Sequence, residues 1–364
     1  MNQSKKVLIV CSNGPESSFG GGQRNILIGR LFESIGYAVE MILVLSREWG
    51  TYNENSNLFN DWKKKFTIKK IFQPSFRHPF FPSLELLAYI HKNQDDYSWI
   101  IFRYEIIAFK SGFYFLKKSK IIIDFDDFIL PTVTNTKFAF HFIRHIFQYL
   151  RVSKCFYLNE SLQKYFREKG LWVPNIPLSE YWPSTDSPMF SKNLSSSPLI
   201  LHIVSDYDAL IHFFNSDQFS SLLKKLPNLK FIFICRKIDK MFSSQLRLFN
   251  IEWVENPDKI DIYYIQAWAS LILEKKKHGT HIKFIESIHF YTPVIGFYEA
   301  FRGYEMFLEH IVNIPASYDD LCNQIYLLGS NVEYISKLAE KNKIIQNEYF
   351  SLKKLTHSLK ILYE

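Results

Sequence analysis

Two doubly wound α/β domains facing a cleft are what this sequence predicts, on three observations. Short continuous apolar runs recur along the chain and break into polar clusters, as strands buried on both faces of a parallel sheet do. The runs alternate with helix-length segments in both halves, so the second half repeats the architecture of the first. Between the halves, residues 176–198 are rich in Pro, Ser and Asp and show no periodicity, which marks a boundary.

The first run, residues 7–11, gives way to a polar loop and then to Gly20, Gly21 and Gly22. From Gln23 a helical pattern places Ile26, Leu27, Leu31 and Ile35 on one side until Gly36 ends it, and residues 39–45 form the next strand. Strand, glycine-rich loop, helix and strand make a βαβ unit, with glycines that let the backbone approach a ligand at the sheet's carboxyl edge. A plain flexible loop is the alternative, because three consecutive glycines match neither standard nucleotide-loop pattern.

Further strands are expected at 99–102 and 121–123, running into Arg103-Tyr104-Glu105 and Asp124-Phe125-Asp126-Asp127. Polar residues just beyond strands occupy the edge where open α/β sheets bind ligands. The crowded carboxylates make Asp126 or Asp127 a candidate base or hydroxyl ligand; a helix cap and plain solvation are the alternatives. The aromatic and basic segments 76–82 and 138–150 are candidate membrane-facing or acceptor-facing surfaces, against core packing for the second. Strands at 155–158 and 171–173, with a helix over 161–169 between them, complete the first half.

In the second half, strands are expected at 199–204, 229–235, 251–254 and 271–273, with a helix over 209–225 and helices over 318–328 and 331–360 at the end. The most informative stretch is His278 to Glu286. Thr280 stands where an N-cap belongs; Ile282, Ile285 and Ile288 then form a stripe with Phe284 beside it, and His289 projects into the same stripe as a core histidine. Glu286 falls at the border of that stripe beside Lys283. Pro293 ends the segment, and Val294-Ile295-Gly296 reads as a strand. A loop, a glycine, a capped helix start and a lysine in the first turn suit a diphosphate, leaving Glu286 to bind a neutral hydroxyl. An ordinary surface helix with a solvated Glu–Lys pair is the alternative.

The composition fits this plan. The 364 residues suit about two domains, and 47% hydrophobic with 17% aromatic residues supplies two cores. Lys5-Lys6 before residues 7–11 imitates the start of a secretory signal, but the apolar run is short and has no small-residue cleavage site. With no run near the roughly 18–20 apolar residues of a membrane span, a cytoplasmic protein is expected. Cys11, Cys155, Cys235 and Cys322 have no paired spacing and sit by apolar runs, so buried free thiols are expected. The formal charge of +8 gathers at Lys63-Lys64-Lys65, Lys69-Lys70, Lys117-Lys118 with Lys120, and Lys275-Lys276-Lys277. Such runs are usually solvated faces; attraction to an anionic membrane surface or to a nucleotide is the functional alternative, while nucleic acid is not expected without a binding motif.

The ordered set of motifs resembles the GT-B glycosyltransferases, and most of all family 4 of the retaining enzymes. The matching segments are Phe19-Gly20-Gly21-Gly22-Gln23-Arg24, Asp124-Phe125-Asp126-Asp127, Val173-Pro174-Asn175, the run from Gly279 to Glu286, and Pro293-Val294-Ile295-Gly296. The resemblance implies two Rossmann-like domains: residues 1–180 on the acceptor side, a linker at 181–198, and a nucleotide-sugar domain at 199–335. Residues 336–364 would be a C-terminal helix packing back across the domains. It implies transfer of a sugar from a nucleotide-diphosphate donor to a glycan or lipid-linked acceptor in surface polysaccharide synthesis, with retention, without a metal and with no cofactor beyond the donor. Glu286 matches the family glutamate that holds the donor ribose. His278, Gly279, Thr280, His281 and Lys283 match the diphosphate end, and Gly20, Gly21, Gly22 and Arg24 match the N-terminal loop that approaches donor phosphate. Asp126 and Asp127 would serve chemistry on the acceptor side. The chain departs from the pattern where His281 replaces an arginine, where His278 replaces the first glutamate of E-x(7)-E, and where Ser205-Asp206-Tyr207-Asp208 replaces Gly-Arg. These leave open a second function, a transferase-like binding or scaffold protein without turnover.

Overall fold

The computed structural model describes residues 5–11, 20–44, 57–72, 84–103, 108, 113–125, 149–158, 169–176, 198–203, 207–235, 251–255, 257, 260–273, 282–301, 303–310 and 314–363. The chain divides into two compact units, Met1–Asn175 with Leu352–Glu364, and Ile176–Ser351.

The first unit is built on a parallel sheet of β1 (Lys6–Cys11), β2 (Ala38–Val44), β3 (Thr67–Phe72), β4 (Trp99–Arg103), β5 (Ile121–Phe125), β6 (Lys154–Tyr157) and β7 (Gly170–Trp172), in the order β3-β2-β1-β4-β5-β6-β7. β1 lies inside the sheet because it is apolar after Lys6: Val7 to Cys11 are all fully buried, between β2 and β4. The strand order reverses between β1 and β4, so the carboxyl ends of those two strands define a crevice. β3 carries no clear sequence signal, since Lys69-Lys70 interrupts its apolar pattern. It holds the sheet edge, where Lys69 is exposed, and its pairing with β2 shifts register between Met41 and Ile42.

The helix Gly20–Ser34 starts three residues earlier than its apolar pattern suggests, so Gly20, Gly21 and Gly22 form its first turn and not a loop. It ends on Gly36 at φ 88°. Gly36 N–H donates to Glu33 O at 2.9 Å and Tyr37 N–H to Phe32 O at 3.0 Å, the double bond of a glycine-terminated helix.

The second unit carries β8 (Leu199–Ile203), β9 (Lys230–Cys235), β10 (Ile251–Glu255), β11 (Ala269–Ile272) and β12 (Val294–Gly296), parallel in the order β10-β9-β8-β11-β12. Its order reverses between β8 and β11, the same plan as the first unit. Phe213, Phe214, Phe219, Phe231 and Phe233 cluster on one face of this sheet, which is where much of the aromatic content goes.

Two helices expected to be continuous are broken. The segment 209–225 becomes Tyr207–Phe214 and Asp217–Lys225, because Ser216 accepts the Phe219 N–H at 3.2 Å and caps a new helix. The segment 331–360 becomes Val332–Tyr349 and Leu352–Tyr363. The second piece packs on the helix Gly20–Ser34, with Ser34 and Thr356 hydroxyls 2.8 Å apart, and so belongs to the first unit.

Candidate functional site

β11 leads through residues outside the description to the helix Ile282–His289, which packs on β12 and on the helix Val332–Tyr349. Phe284, Ile285 and Ile288 are buried as their spacing requires. Lys283 crosses the switch point: its Nζ donates to the carbonyl of Ile203, at the end of β8, at 2.6 Å. The lysine thereby ties the first turn of this helix to the strand where the order reverses.

Glu286 is buried more deeply than its border position suggests, at 8% exposure. The hydroxyl of Tyr264, from the helix Asp261–Gln266, donates to its Oε2 at 2.9 Å. Among the described residues Oε1 accepts no hydrogen bond. Burial pushes the carboxyl from 4.5 up to about 7, against the opposing pull of the Tyr264 hydrogen bond and the Lys283 charge. A carboxylate with one oxygen anchored and the other unused can accept from a ligand hydroxyl. His289 is the core histidine expected, its Nδ1 3.0 Å from the Gln346 amide nitrogen. Gly296 lets the ends of β11 and β12 close together: a Cβ there would lie 2.4 Å from Ile272 O and 2.6 Å from the Ala300 Cβ.

At the carboxyl edge of the first sheet the arrangement is different. Arg24 is buried, with Nε donating to Asp124 Oδ2 at 2.8 Å and Nη2 to Oδ1 at 2.6 Å, a two-pronged pair. Arg103, the last residue of β4 and opposite Asp124 in register, adds a third hydrogen bond to the same carboxylate. Its Nε donates to Asn25 Oδ1 at 2.7 Å. Arg24 Nη1 also donates to Val173 O at 2.6 Å and to Asn175 Oδ1 at 3.2 Å. Arg24, expected at donor phosphate, thus has protein partners on two segments: it binds the glycine-led helix to β5 and to the last residues before the unit boundary. Asp124 and Arg103 are functional-looking strand-end residues that close this cluster.

Asp126, Asp127, His278, Gly279, Thr280 and His281 lie outside the described residues, as do segment 76–82 and most of 138–150. Tyr264 is the site residue that sequence reasoning missed. Its hydrogen bond spans 22 residues, with no local pattern to announce it.

All four cysteines are free and buried. Burial pushes the Cys11 thiol up to about 12, outweighing the lowering effect of Arg103, which removes it as a nucleophile at neutral pH. Among the described residues no helix is long and apolar enough to cross a membrane, and no three His, Cys, Asp or Glu side chains gather as metal ligands.

No protein-family model matches the sequence, and no curated protein does. Solved structures do match over nearly the whole chain. HepE of Anabaena, determined with UDP and glucose, is 12% identical over 98% of both chains with a TM-score of 0.67. A glycosyltransferase of Rickettsia africae is 14% identical over 100% of this chain and 98% of that one, with a TM-score of 0.70. TarM, also solved from S. aureus with UDP, is 10% identical over 99% of both, at 0.71. With two parallel sheets of matching plan and likeness along its full length, the chain has the two-domain GT-B fold of these glycosyltransferases.

Proposed function

We propose that this protein is a glycosyltransferase that moves a sugar from a nucleotide-diphosphate donor, UDP-linked as in its structural neighbours, to a glycan or lipid-linked acceptor. One observation carries the reading. Glu286 is a buried carboxylate beside the β8/β11 switch point, held by Tyr264 through Oε2, with Oε1 left to accept a hydroxyl. A nucleotide offers such hydroxyls on its ribose, and open α/β sheets seat nucleotides at this place.

In this reading the diphosphate rests at the start of the helix Ile282–His289, where the first-turn N–H groups and the positive dipole end favour an anion. Gly279, Thr280 and the two neighbouring histidines would line it, with Lys283 bracing the turn from Ile203. Gly20, Gly21 and Gly22 open a helix as well, and their first-turn amides are a second candidate element for phosphate. Transfer breaks the bond from the sugar carbon to the diphosphate oxygen and forms one to the acceptor oxygen. The acceptor proton would pass to Asp126 or Asp127, and the charge gathering on the leaving diphosphate would be stabilised by fixed N–H donors without a metal. We assign the enzyme to surface polysaccharide synthesis with retention of configuration, working from the cytoplasm and resting by its lysine clusters on the anionic inner membrane face.

The test is binding of UDP, GDP and CMP by thermal shift and calorimetry. UDP is expected to raise the melting temperature, and Glu286→Ala to weaken binding by about tenfold or more, for a lost hydrogen bond to a charged group of roughly 1.5–3 kcal/mol. No response to any nucleotide would overturn the proposal. Nucleotide binding with no turnover of any UDP-sugar, even to water, would leave the binding-protein reading instead.

A further inference from the structure

We infer that Tyr264 is a positioning residue for the nucleotide site, its hydroxyl fixing which way the Glu286 carboxylate faces and which oxygen a ligand meets. The inference rests on the reading of Glu286 as a hydroxyl-binding group and deepens it.

Tyr264 is fully buried, and its ring packs in an apolar cluster with Leu201, Ile232, Ile234 and Phe290. It stacks on Phe290 with centroids 5.4 Å apart and planes 13° apart. Its main chain is pinned as well: the Thr292 hydroxyl donates to Tyr264 O at 2.9 Å, and the Asn342 amide donates to Thr292 O at 2.9 Å. Thr292 is itself set by the end of the Ile282–His289 helix, its N–H donating to Ser287 O at 2.8 Å. These contacts hold the phenol where it donates to Glu286 Oε2 at 2.9 Å. A carboxylate on a flexible glutamate stem would otherwise rotate; bonded so, it keeps Oε1 turned away from the phenol.

Among the described residues, the other groups facing Glu286 are few. Lys283 lies on its own helix and is bonded to Ile203 O. His289, on the same helix, is engaged by Gln346. The helix Val332–Tyr349 buries Ile335, Leu338, Asn342 and Ile345, none of them charged, and β12 contributes Val294, Ile295 and Gly296. The phenol is thus the one hydrogen-bond donor to the carboxylate among the described residues, and it favours the ionised form that accepts a ligand hydroxyl.

UDP affinity measured by calorimetry from pH 6 to 9 on the full chain tests this. The wild type is expected to lose affinity toward acid pH as Glu286 takes up a proton. Tyr264→Phe should move that midpoint upward by about one pH unit and weaken binding at pH 8 by about fivefold. Phe290→Leu, which loosens the same packing but spares the hydroxyl, should lower the melting temperature and keep the wild-type midpoint. UDP titrates its own phosphate near pH 6, a contribution common to all variants that cancels in the comparison. A Tyr264→Phe protein with lowered stability but an unmoved midpoint would overturn the inference and leave the nucleotide reading standing. So would a Phe290→Leu midpoint that moves equally. Absence of UDP binding by the wild type, or Glu286→Gln binding like the wild type, would overturn the nucleotide reading itself.

Discussion

Asp124 in the first unit and Glu286 in the second are both carboxylates inside parallel α/β units, at 0% and 8% exposure, and their surroundings are opposite. Asp124 receives both prongs of Arg24 and a further bond from Arg103, so its charge is matched and both its oxygens are occupied. Among the described residues Glu286 receives one phenol, and Lys283 on the same helix is turned to a backbone carbonyl. Glu40 shows what ordinary pairing does. Burial pushes its carboxyl up, yet Tyr97, Lys69 and Lys6 together hold it below its usual range. Burial alone therefore does not mark a site. A buried group whose bonding is left incomplete does, because the missing partner is what a ligand can supply.

The ends of two helices repeat the contrast. The helix Gly20–Ser34 closes on a glycine, Gly36, at positive φ; the helix Ile282–His289 closes with the same pair of hydrogen bonds on Tyr291, at φ 53°. A side chain in that region costs about 1–2 kcal/mol relative to ordinary helical backbone. The first unit resolves its local demands, and the second leaves two unresolved on one short helix, as sites with strained geometry do.

The largest effect is expected at the saturated carboxylate. Asp124→Ala strips two buried guanidinium groups of the carboxylate they share and should destabilise the protein by about 3–5 kcal/mol. Denaturant unfolding of the variant would measure it; a loss under about 1 kcal/mol would mean that the cluster tolerates water and that the contrast with Glu286 is false.

Glu286→Gln should do the reverse. The folded-state pKa of about 7 lies above the ordinary 4.5, so the folded protein holds a proton that the unfolded chain gives up. Stability then falls as pH rises from about 4.5 to about 7 and stays level above. The glutamine variant should therefore match the wild type near pH 4.5 and exceed it at pH 8, by at most about 3 kcal/mol, while losing nucleotide affinity. Melting temperatures across pH would show it, and a gain of equal size at both pH values would remove the electrostatic explanation.

The smallest effect is at the helix end. Tyr291→Gly should stabilise by up to about 1 kcal/mol, because glycine adopts positive φ without the side-chain penalty. Equal or lower stability would show that the Tyr291 side chain repays its backbone cost through packing.

Much of this fold was legible in the sequence because strand burial is a local matter. Val7 to Cys11 and Leu271-Ile272 are apolar without a break, as strands covered on both faces are. Gly36 announced a helix end, and the spacing of Ile285, Glu286 and Ile288 already set a carboxylate against packed surface. Breaks inside helices were less legible: Ser216 and Ser351 interrupt stretches whose apolar spacing reads as continuous, and the first break is set by the Ser216 cap on the Phe219 N–H.

Partnership was not legible at all. Arg24 lies 100 residues from Asp124, and its neighbours in the chain read equally well as a phosphate loop. Tyr264 sits among apolar and aromatic residues that promise only a core position. By itself the sequence determined the strands, their burial on both faces, the two-part division and the place of Glu286 on its helix, since each follows from residue type and period. Only the tertiary structure decided which buried charge is answered and which is left waiting, because hydrogen bonds form between groups that folding brings together from distant parts of the chain.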